Sequence, residues 1–272
     1  MISPLRQRFA PLPATPGYVL RQWPRAVGMM QLVGFSRPCS RRDLASICRW
    51  AGLSENGQSK NRLSDRAVSR LVTLAARQGP GNRYHHSGHF AHVVMAAAIL
   101  AGSDGLRAHD RDLLVVAALI HDLNHLGKRS SKRLFHQERQ SATAARRIII
   151  GAGADARLAA RLEKLLIATA LTDDALRMTI LASDPLARLL ADADIFASVS
   201  YRRDIALGLT RNLKLELRIP GKADDLLRHF AGRIGKAGLH SGAGRRLLAS
   251  TVASRQAGLN TVAVDDVGGV VA

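Results

Sequence analysis

The chain has 272 residues, of which 47% are hydrophobic and 22% are charged, and its formal net charge is +19 at pH 7. This composition is typical of a globular protein and excludes a largely disordered chain. No apolar run approaches the roughly 18 residues that a membrane span requires, so we expect no transmembrane helix. Because Cys39 and Cys48 are too few for a disulfide framework and no signal peptide is evident, we expect a cytoplasmic protein.

The positive charge allows two interpretations. Lys and Arg together number 40 against 21 Asp and Glu, a balance that attracts polyanions such as nucleic acid. However, 33 of the 40 basic residues are Arg and they are scattered along the chain, which is also what a GC-rich genome produces. Nucleic acid is therefore a candidate partner, although no recognition motif in the sequence predicts it.

The first 42 residues differ from the rest of the chain. They contain six of the nine prolines and seven arginines but no acidic residue. Because proline lacks an amide donor and restricts φ, this density predicts a disordered basic arm. The alternative is a start codon assigned too early, with the true initiator at Met29 or Met30.

Residues 43–258 have the pattern of one helical domain, and residues 259–272 are expected to form a C-terminal tail. The alternation typical of β-strands is scarce, so the predicted fold class is all-α. A serine cap at Ser64 and a proline in a first turn at Pro185 mark two of the helix starts. Helices are expected at about 65–77, 84–101, 109–126, 131–150, 154–170, from 185, at 201–217, 223–234 and 245–255.

Eight of the ten histidines fall within 52 residues, as expected for metal binding or acid–base catalysis. His85 and His89 are four residues apart, a spacing that places two side chains on one face of a helix. His121 and His125 have the same spacing. Asp122 follows the apolar run 113–120, so it is carried towards the interior, where a carboxylate is costly unless it is paired or binds a metal. The eight histidines are His85, His86, His89, His92, His109, His121, His125 and His136.

Two motifs resemble a known family. Tyr-His-His-Ser-Gly-His at 84–89 and His-Asp-Leu-Asn-His-Leu-Gly at 121–127 are similar to the motifs of the HD superfamily of metal-dependent phosphohydrolases. Within it they most resemble the catalytic domain of class I cyclic-nucleotide phosphodiesterases, which carries Tyr-His-Asn-x-x-His, His-Asp-x-x-His-x-Gly and a later Asp. Asp194 matches the later Asp. The resemblance covers about residues 83–198 and implies a compact HD-domain helical bundle.

The resemblance also implies roles for individual residues. His85 matches the general acid that protonates the leaving oxygen, and His125 matches a supporting catalytic histidine. Glu138 is expected near a second metal site, and Asp192 is the second choice for the later Asp. Two divalent ions are implied, of Zn, Mn, Fe or Mg. The implied metal ligands are His89, His121, Asp122 and Asp194.

The expected function is therefore hydrolysis of a small phosphoester, most simply a phosphodiesterase reaction on a cyclic or other nucleotide by a metal-activated hydroxide. The sequence departs from the family at His86, His92 and Ala170, which stand in place of Asn, Asp and Asp, and it contains no evident Gln and Phe pair to hold a purine. The alternatives are a non-catalytic HD-like metal or nucleotide sensor, a phosphohydrolase acting on nucleic acid or a nucleoside monophosphate, and a nucleic-acid-binding protein.

Basic residues flank the expected site and allow two interpretations. They could hold phosphate oxygens of a substrate, or they could form a solvated loop surface. The oligomeric state has no sequence signal. The basic residues are Lys128, Arg129, Lys132, Arg133, Arg202 and Arg203.

Overall fold

The fold is known from a computed structural model that describes most of the chain. Within the described part, every segment of regular secondary structure is a helix, and the predicted all-α class is confirmed. The described residues are 15–23, 38–53, 63–79, 81–127, 134–200 and 203–256.

Twelve helices form in these residues. The predictions at about 65–77, 154–170 and 223–234 correspond closely to α3, α7 and α11, whereas α8 was not predicted. The helices are α1 (Pro16–Arg21), α2 (Arg41–Trp50), α3 (Asp65–Ala76), α4 (Ser87–Ser103), α5 (Ala108–Ile120), α6 (His136–Gly151), α7 (Ala156–Ile167), α8 (Ala175–Ser183), α9 (Pro185–Ser200), α10 (Arg203–Leu217), α11 (Ala223–Ala237) and α12 (Gly242–Gln256).

Helices α4, α5 and α9 form the centre of the bundle. Helix α4 is buried on all sides from Ser87 to Ala101, and it packs against both α5 and α9. A helix that is apolar all round is stable only in such an interior position. The consecutive alanines Ala96, Ala97 and Ala98 are fully or almost fully buried, and their small side chains let neighbouring helices approach closely. This packing brings the start of α4, the end of α5 and the second half of α9 together.

Helix α5 ends earlier than the sequence predicts. It stops at Ile120 rather than near 126, and a turn follows in which Asn124 has a left-handed φ of 62°. The amide of Asn124 donates to the Gln78 side chain over 2.7 Å, which stabilises the turn. Since α4 also begins only at Ser87, neither His85 with His89 nor His121 with His125 shares one helix face. The predicted helical pairing of these histidines is wrong.

Part of the predicted arm is structured. Residues 15–23 contain α1, in which Pro16 occupies the first turn and Thr15 caps the helix. Val19 is fully buried, and Trp23 donates from its indole nitrogen to the Leu247 carbonyl over 3.0 Å. The packing of Val19 and Trp23 thus orders this part of the arm despite the high proline content of residues 1–42. Residues 1–14 and 24–37, and the predicted tail 259–272, lie outside the described residues, and the domain limits stay predictions.

None of the helices in the described residues is both long and apolar enough to cross a bilayer.

Candidate metal and acid–base site

Four of the predicted residues converge at the centre of the bundle. His89 lies in the first turn of α4, His121 and Asp122 directly follow α5, and Asp194 lies on α9. One donor atom from each of them lies within 4.8 Å of the others. His89 Nε2 is 3.1 Å from His121 Nε2 and 3.2 Å from Asp194 Oδ1. The sequence places these residues far apart, and the packing of three helices brings them to one point.

The orientation of His121 is set by a hydrogen bond to its own helix. Its Nδ1 lies 2.8 Å from the carbonyl of Ala118, and because a carbonyl can only accept, Nδ1 carries the proton. In its neutral form the ring would therefore present the lone pair of Nε2 to the cluster. Asp122 Oδ2 and Asp194 Oδ1 are 3.2 Å and 3.3 Å from this nitrogen. Such a backbone contact behind the ring is typical of metal-binding histidines.

The electrostatics of the cluster require a positive charge between its carboxylates. Burial by itself raises the pKa of both aspartates, but the neighbouring histidines more than offset it. The pKa of Asp122 is well below its usual range, and that of Asp194 is lowered to about 2. Burial alone would lower the pKa of His89 and of His121, but the two aspartates Asp122 and Asp194 raise it. Both carboxylates are thus ionised, and a bound cation would supply the balancing charge with neutral imidazoles.

The donor distances fit a divalent ion. With bonds of about 2.0–2.1 Å to His nitrogen and carboxylate oxygen, adjacent ligand atoms are about 3.0 Å apart in an octahedron and about 3.4 Å apart in a tetrahedron. The pairs that involve the two histidines span 3.1 to 3.5 Å. Two imidazole nitrogens and two carboxylate oxygens suit Zn, Mn or Fe, and Mg less well. The residues present therefore fit a metal centre.

A second group of side chains borders this cluster. His85 and His125 stack with ring centroids 3.5 Å apart, and His85 Nδ1 forms a short hydrogen bond with Glu216. Glu216 also accepts from the backbone amides of Tyr84, over 2.6 Å, and of His85, over 3.2 Å. With Nδ1 held in this way, His85 Nε2 faces the four-residue cluster and lies 3.7 Å from Asp122 Oδ2.

The charges of this second group follow from burial and from its one carboxylate. Burial opposes ionisation of Glu216, but the hydrogen bond from His85 lowers the pKa of its carboxyl from 4.5 to about 2. Burial lowers the pKa of His125 to about 4, so this ring is neutral at physiological pH. His85 is thus held between an ionised carboxylate and a neutral ring.

Glu216 is a functional candidate that the sequence analysis missed. It is one of only four glutamates in the chain, and it lies seven residues after the buried Leu209 and three after Leu213 on α10. A carboxylate on the apolar stripe of a helix is a signal that could have identified it.

Asp192 is engaged elsewhere. It is fully buried, and its carboxylate accepts from the amides of His240 and Ser241, each over 2.8 Å, and from the Ser241 hydroxyl over 2.5 Å. These bonds anchor the segment that leads into α12. The geometry thus places Asp194, and not Asp192, in the cluster.

The remaining candidates lie around these two groups. Glu138 on α6 is close enough for its pKa to be raised, by burial first and then by the charges of Asp122 and Asp194, but it is outside both groups. Buried His86 caps α4, its Nδ1 accepting from the Gly88 amide over 3.0 Å. Arg203 pairs with Asp224 over 2.8 Å. Of the eight histidines between residues 85 and 136, those outside both groups are His86, His92, His109 and His136. Ala170 is buried, and Lys128, Arg129, Lys132, Arg133 and Arg202 lie outside the described residues.

Comparison with known proteins gives a structural match without a sequence match. No protein-family model matches the chain, and no curated protein matches it. The phosphodiesterase domain of the RhoPDE fusion protein from the choanoflagellate Salpingoeca rosetta is similar, with a TM-score of 0.56 and 14% identity over 87% of this chain and 94% of that one. A second structure, the phosphodiesterase domain of Salpingoeca rosetta rhodopsin phosphodiesterase, has a TM-score of 0.59 and 15% identity over 82% and 89% of the two chains. At these identities the shared property is the fold, and the resemblance to the phosphodiesterase domain is confirmed at that level.

Proposed function

We propose that the protein is a metal-dependent phosphoester hydrolase that acts as a phosphodiesterase. The observation that carries this proposal is the convergence of His89, His121, Asp122 and Asp194, with their donor atoms within 4.8 Å of one another. The adjacent His85 supplies a candidate proton donor, with its Nε2 3.7 Å from Asp122 Oδ2. The fold shared with two phosphodiesterase domains supports the same reaction class.

The four converging residues would hold the metal. Asp122 has two carboxylate oxygens and can therefore serve two ions, which is the number we propose. Bound divalent ions would ionise a water molecule near neutral pH and offset the charge on the phosphoryl oxygens. Metal ions bind ionised carboxylates and neutral imidazoles. The cluster would provide these forms at physiological pH once a cation is present.

His85 is proposed as the general acid. As the bond between phosphorus and the leaving oxygen breaks, His85 Nε2 donates a proton to that oxygen. Glu216 accepts from Nδ1, so the ring is held with Nε2 towards the cluster. The stacked ring of His125 restricts His85 to this orientation, which makes His125 a positioning residue and not a proton donor.

We propose a nucleotide-type phosphodiester as substrate and a cytoplasmic location. The cyclic-nucleotide assignment rests on the motif resemblance. A metal or nucleotide sensor without turnover is the competing proposal, and it predicts stoichiometric metal without hydrolysis of any phosphodiester.

Hydrolysis of bis(p-nitrophenyl) phosphate and of cyclic nucleotides with Mn²⁺ or Zn²⁺ tests the proposed function. We expect His121→Ala and Asp122→Asn to lose bound metal and at least about 100-fold in kcat, since each removes a ligand with its activating effect. His229→Ala, at an exposed position of α11, is the matched control and should retain both. Undiminished activity in both ligand variants, or a native protein that binds no divalent ion, would contradict the proposal.

A further inference from the structure

An open groove lined by both polar and apolar side chains lies beside the proposed metal site. Helix α6 and the turn after Asp122 border its volume of about 380 Å³, which is near the lower end of the range for small-ligand sites, and Leu126 and Ala144 supply its apolar lining. None of the described residues that line it is acidic. The polar side chains of the groove are Asn124, His136, Arg139, Gln140, Thr143 and Arg147.

The groove is connected to the metal cluster by the backbone. Asn124, which lines the groove, is two residues after Asp122 and adopts the left-handed φ of 62°. The hydroxyl of Ser141 on α6 donates to the carbonyl of Leu123 over 2.7 Å, so α6 is held against the turn that carries Asp122. A ligand in the groove would therefore approach the cluster at the end where Asn124 lies.

Two arginines give the groove its charge. Arg139 and Arg147 are exposed, and within the described part of the chain neither guanidinium forms an ion pair. Eight residues separate them on α6, which is about 12 Å along the helix. Two cations at this spacing suit an extended chain of phosphates better than a single phosphate group. The net charge of +19 adds a general attraction for polyanions.

We infer that this groove binds the backbone of a single-stranded oligonucleotide, next to the phosphodiester that the metal site hydrolyses. The inference rests on the proposed function and specifies its substrate class. Arg139 and Arg147 contact phosphates beyond the scissile one, and the amides of Asn124 and Gln140 lie where sugars or base edges would pass. Because phosphate contacts carry no sequence information, the groove predicts weak sequence preference.

The groove can be tested separately from catalysis by measuring the binding of a fluorescent single-stranded oligonucleotide. Fluorescence anisotropy reports the binding, and a chelator in the buffer prevents cleavage. We expect Arg139→Gln and Arg147→Gln each to weaken binding about tenfold, as for a lost charged hydrogen bond. Each loss should also reduce the slope of log affinity against log salt by about 0.7, the value for one phosphate of a single strand. Arg146→Gln is the matched control, because Arg146 is exposed on the same helix but does not line the groove.

Hydrolysis in Mn²⁺ gives the second readout. Arg139→Gln and Arg147→Gln should each raise KM for the oligonucleotide. The increase should be at least about tenfold larger than the increase in KM for bis(p-nitrophenyl) phosphate, which has no second phosphate. If Arg146→Gln weakens oligonucleotide binding as much as Arg147→Gln does, or if a mononucleotide competes as well as the oligonucleotide, the groove inference is wrong while the proposed function stands. If the native protein hydrolyses neither substrate, the proposed function fails, and the anisotropy still decides whether the groove binds the strand.

Discussion

Glu216 is the carboxylate that holds His85 in place, and its replacement by glutamine tests the acid–base half of the site. Its side chain is only 4% exposed, and it accepts from two backbone amides as well as from the His85 ring. Glutamine keeps the shape and one acceptor oxygen but removes the charge. Glu216→Gln should therefore lower both the stability of the fold and the rate of the proposed reaction.

The expected loss of stability follows from the pKa. A carboxyl whose pKa is about 2 in the folded chain and 4.5 otherwise stabilises the fold at neutral pH. That difference corresponds to at most about 3 kcal/mol at pH 7. Because the folded pKa is lowered, the contribution is complete above the pKa of the unfolded glutamate and is lost as the pH falls towards 2. About 1 kcal/mol of it should disappear between pH 7 and pH 4.

Urea denaturation at pH 7 and pH 4, followed by circular dichroism, measures this difference. Glu163→Gln on α7 is the matched control, because the Glu163 side chain forms no hydrogen bond or ion pair within the described residues. We expect Glu216→Gln to be destabilised far more than the control at pH 7, and its deficit to shrink at pH 4. A deficit equal to that of the control, or one that does not change with pH, would refute an ionised Glu216 bound to His85. In the hydrolysis assay kcat should fall at least about tenfold, with a smaller change in KM, because positioning of the general acid matters in the transition state.

Two further predictions concern buried side chains. Asp192→Asn should lower the free energy of unfolding by about 2–3 kcal/mol, since an amide cannot accept from all the donors of His240 and Ser241, yet it should retain bound metal. Asp194→Asn should instead lose bound metal with a smaller loss of stability in the same denaturation and metal analyses. Metal loss in Asp192→Asn would contradict the assignment of Asp194 as the metal ligand. Burial raises the pKa of Cys39 to about 12, so its thiol should resist iodoacetamide at pH 8 in the native protein and react only after unfolding. Mass spectrometry measures this, and rapid labelling of native Cys39 would show that the residue is not buried as described.

Local signals were sufficient for much of the helical structure. The start of α3 was predicted because Ser64 caps it, with its hydroxyl accepting from the Ala67 amide over 3.3 Å, and because the apolar stripe of α3 has helical spacing. The start of α9 at Pro185 was predicted for the same kind of reason. Proline has no backbone N–H, and the N–H groups of the first turn have no partner within the helix, so proline costs nothing at this position. These signals lie within a few residues of the structure that they predict.

Other parts of the fold depend on contacts between distant segments. The end of α5 is stabilised by Gln78, which lies 46 residues before Asn124, and nothing in the apolar run up to Ile120 indicates that contact. Similarly, α1 is held through Trp23 and its bond to Leu247, 224 residues later. Proline content alone therefore predicted disorder where packing produces a helix.

The site shows the same division. The types and order of the histidines and aspartates were sufficient to predict a metal-binding chemistry, because imidazole and carboxylate groups are recognisable in any sequence. The choice between Asp194 and Asp192 depended on Ser241, which occupies Asp192, and the contribution of Glu216 depended on where α10 packs. Donor groups and helix periodicity are properties of neighbouring residues, whereas the distances between donors arise only when helices that are distant in the sequence bury their apolar faces against one another.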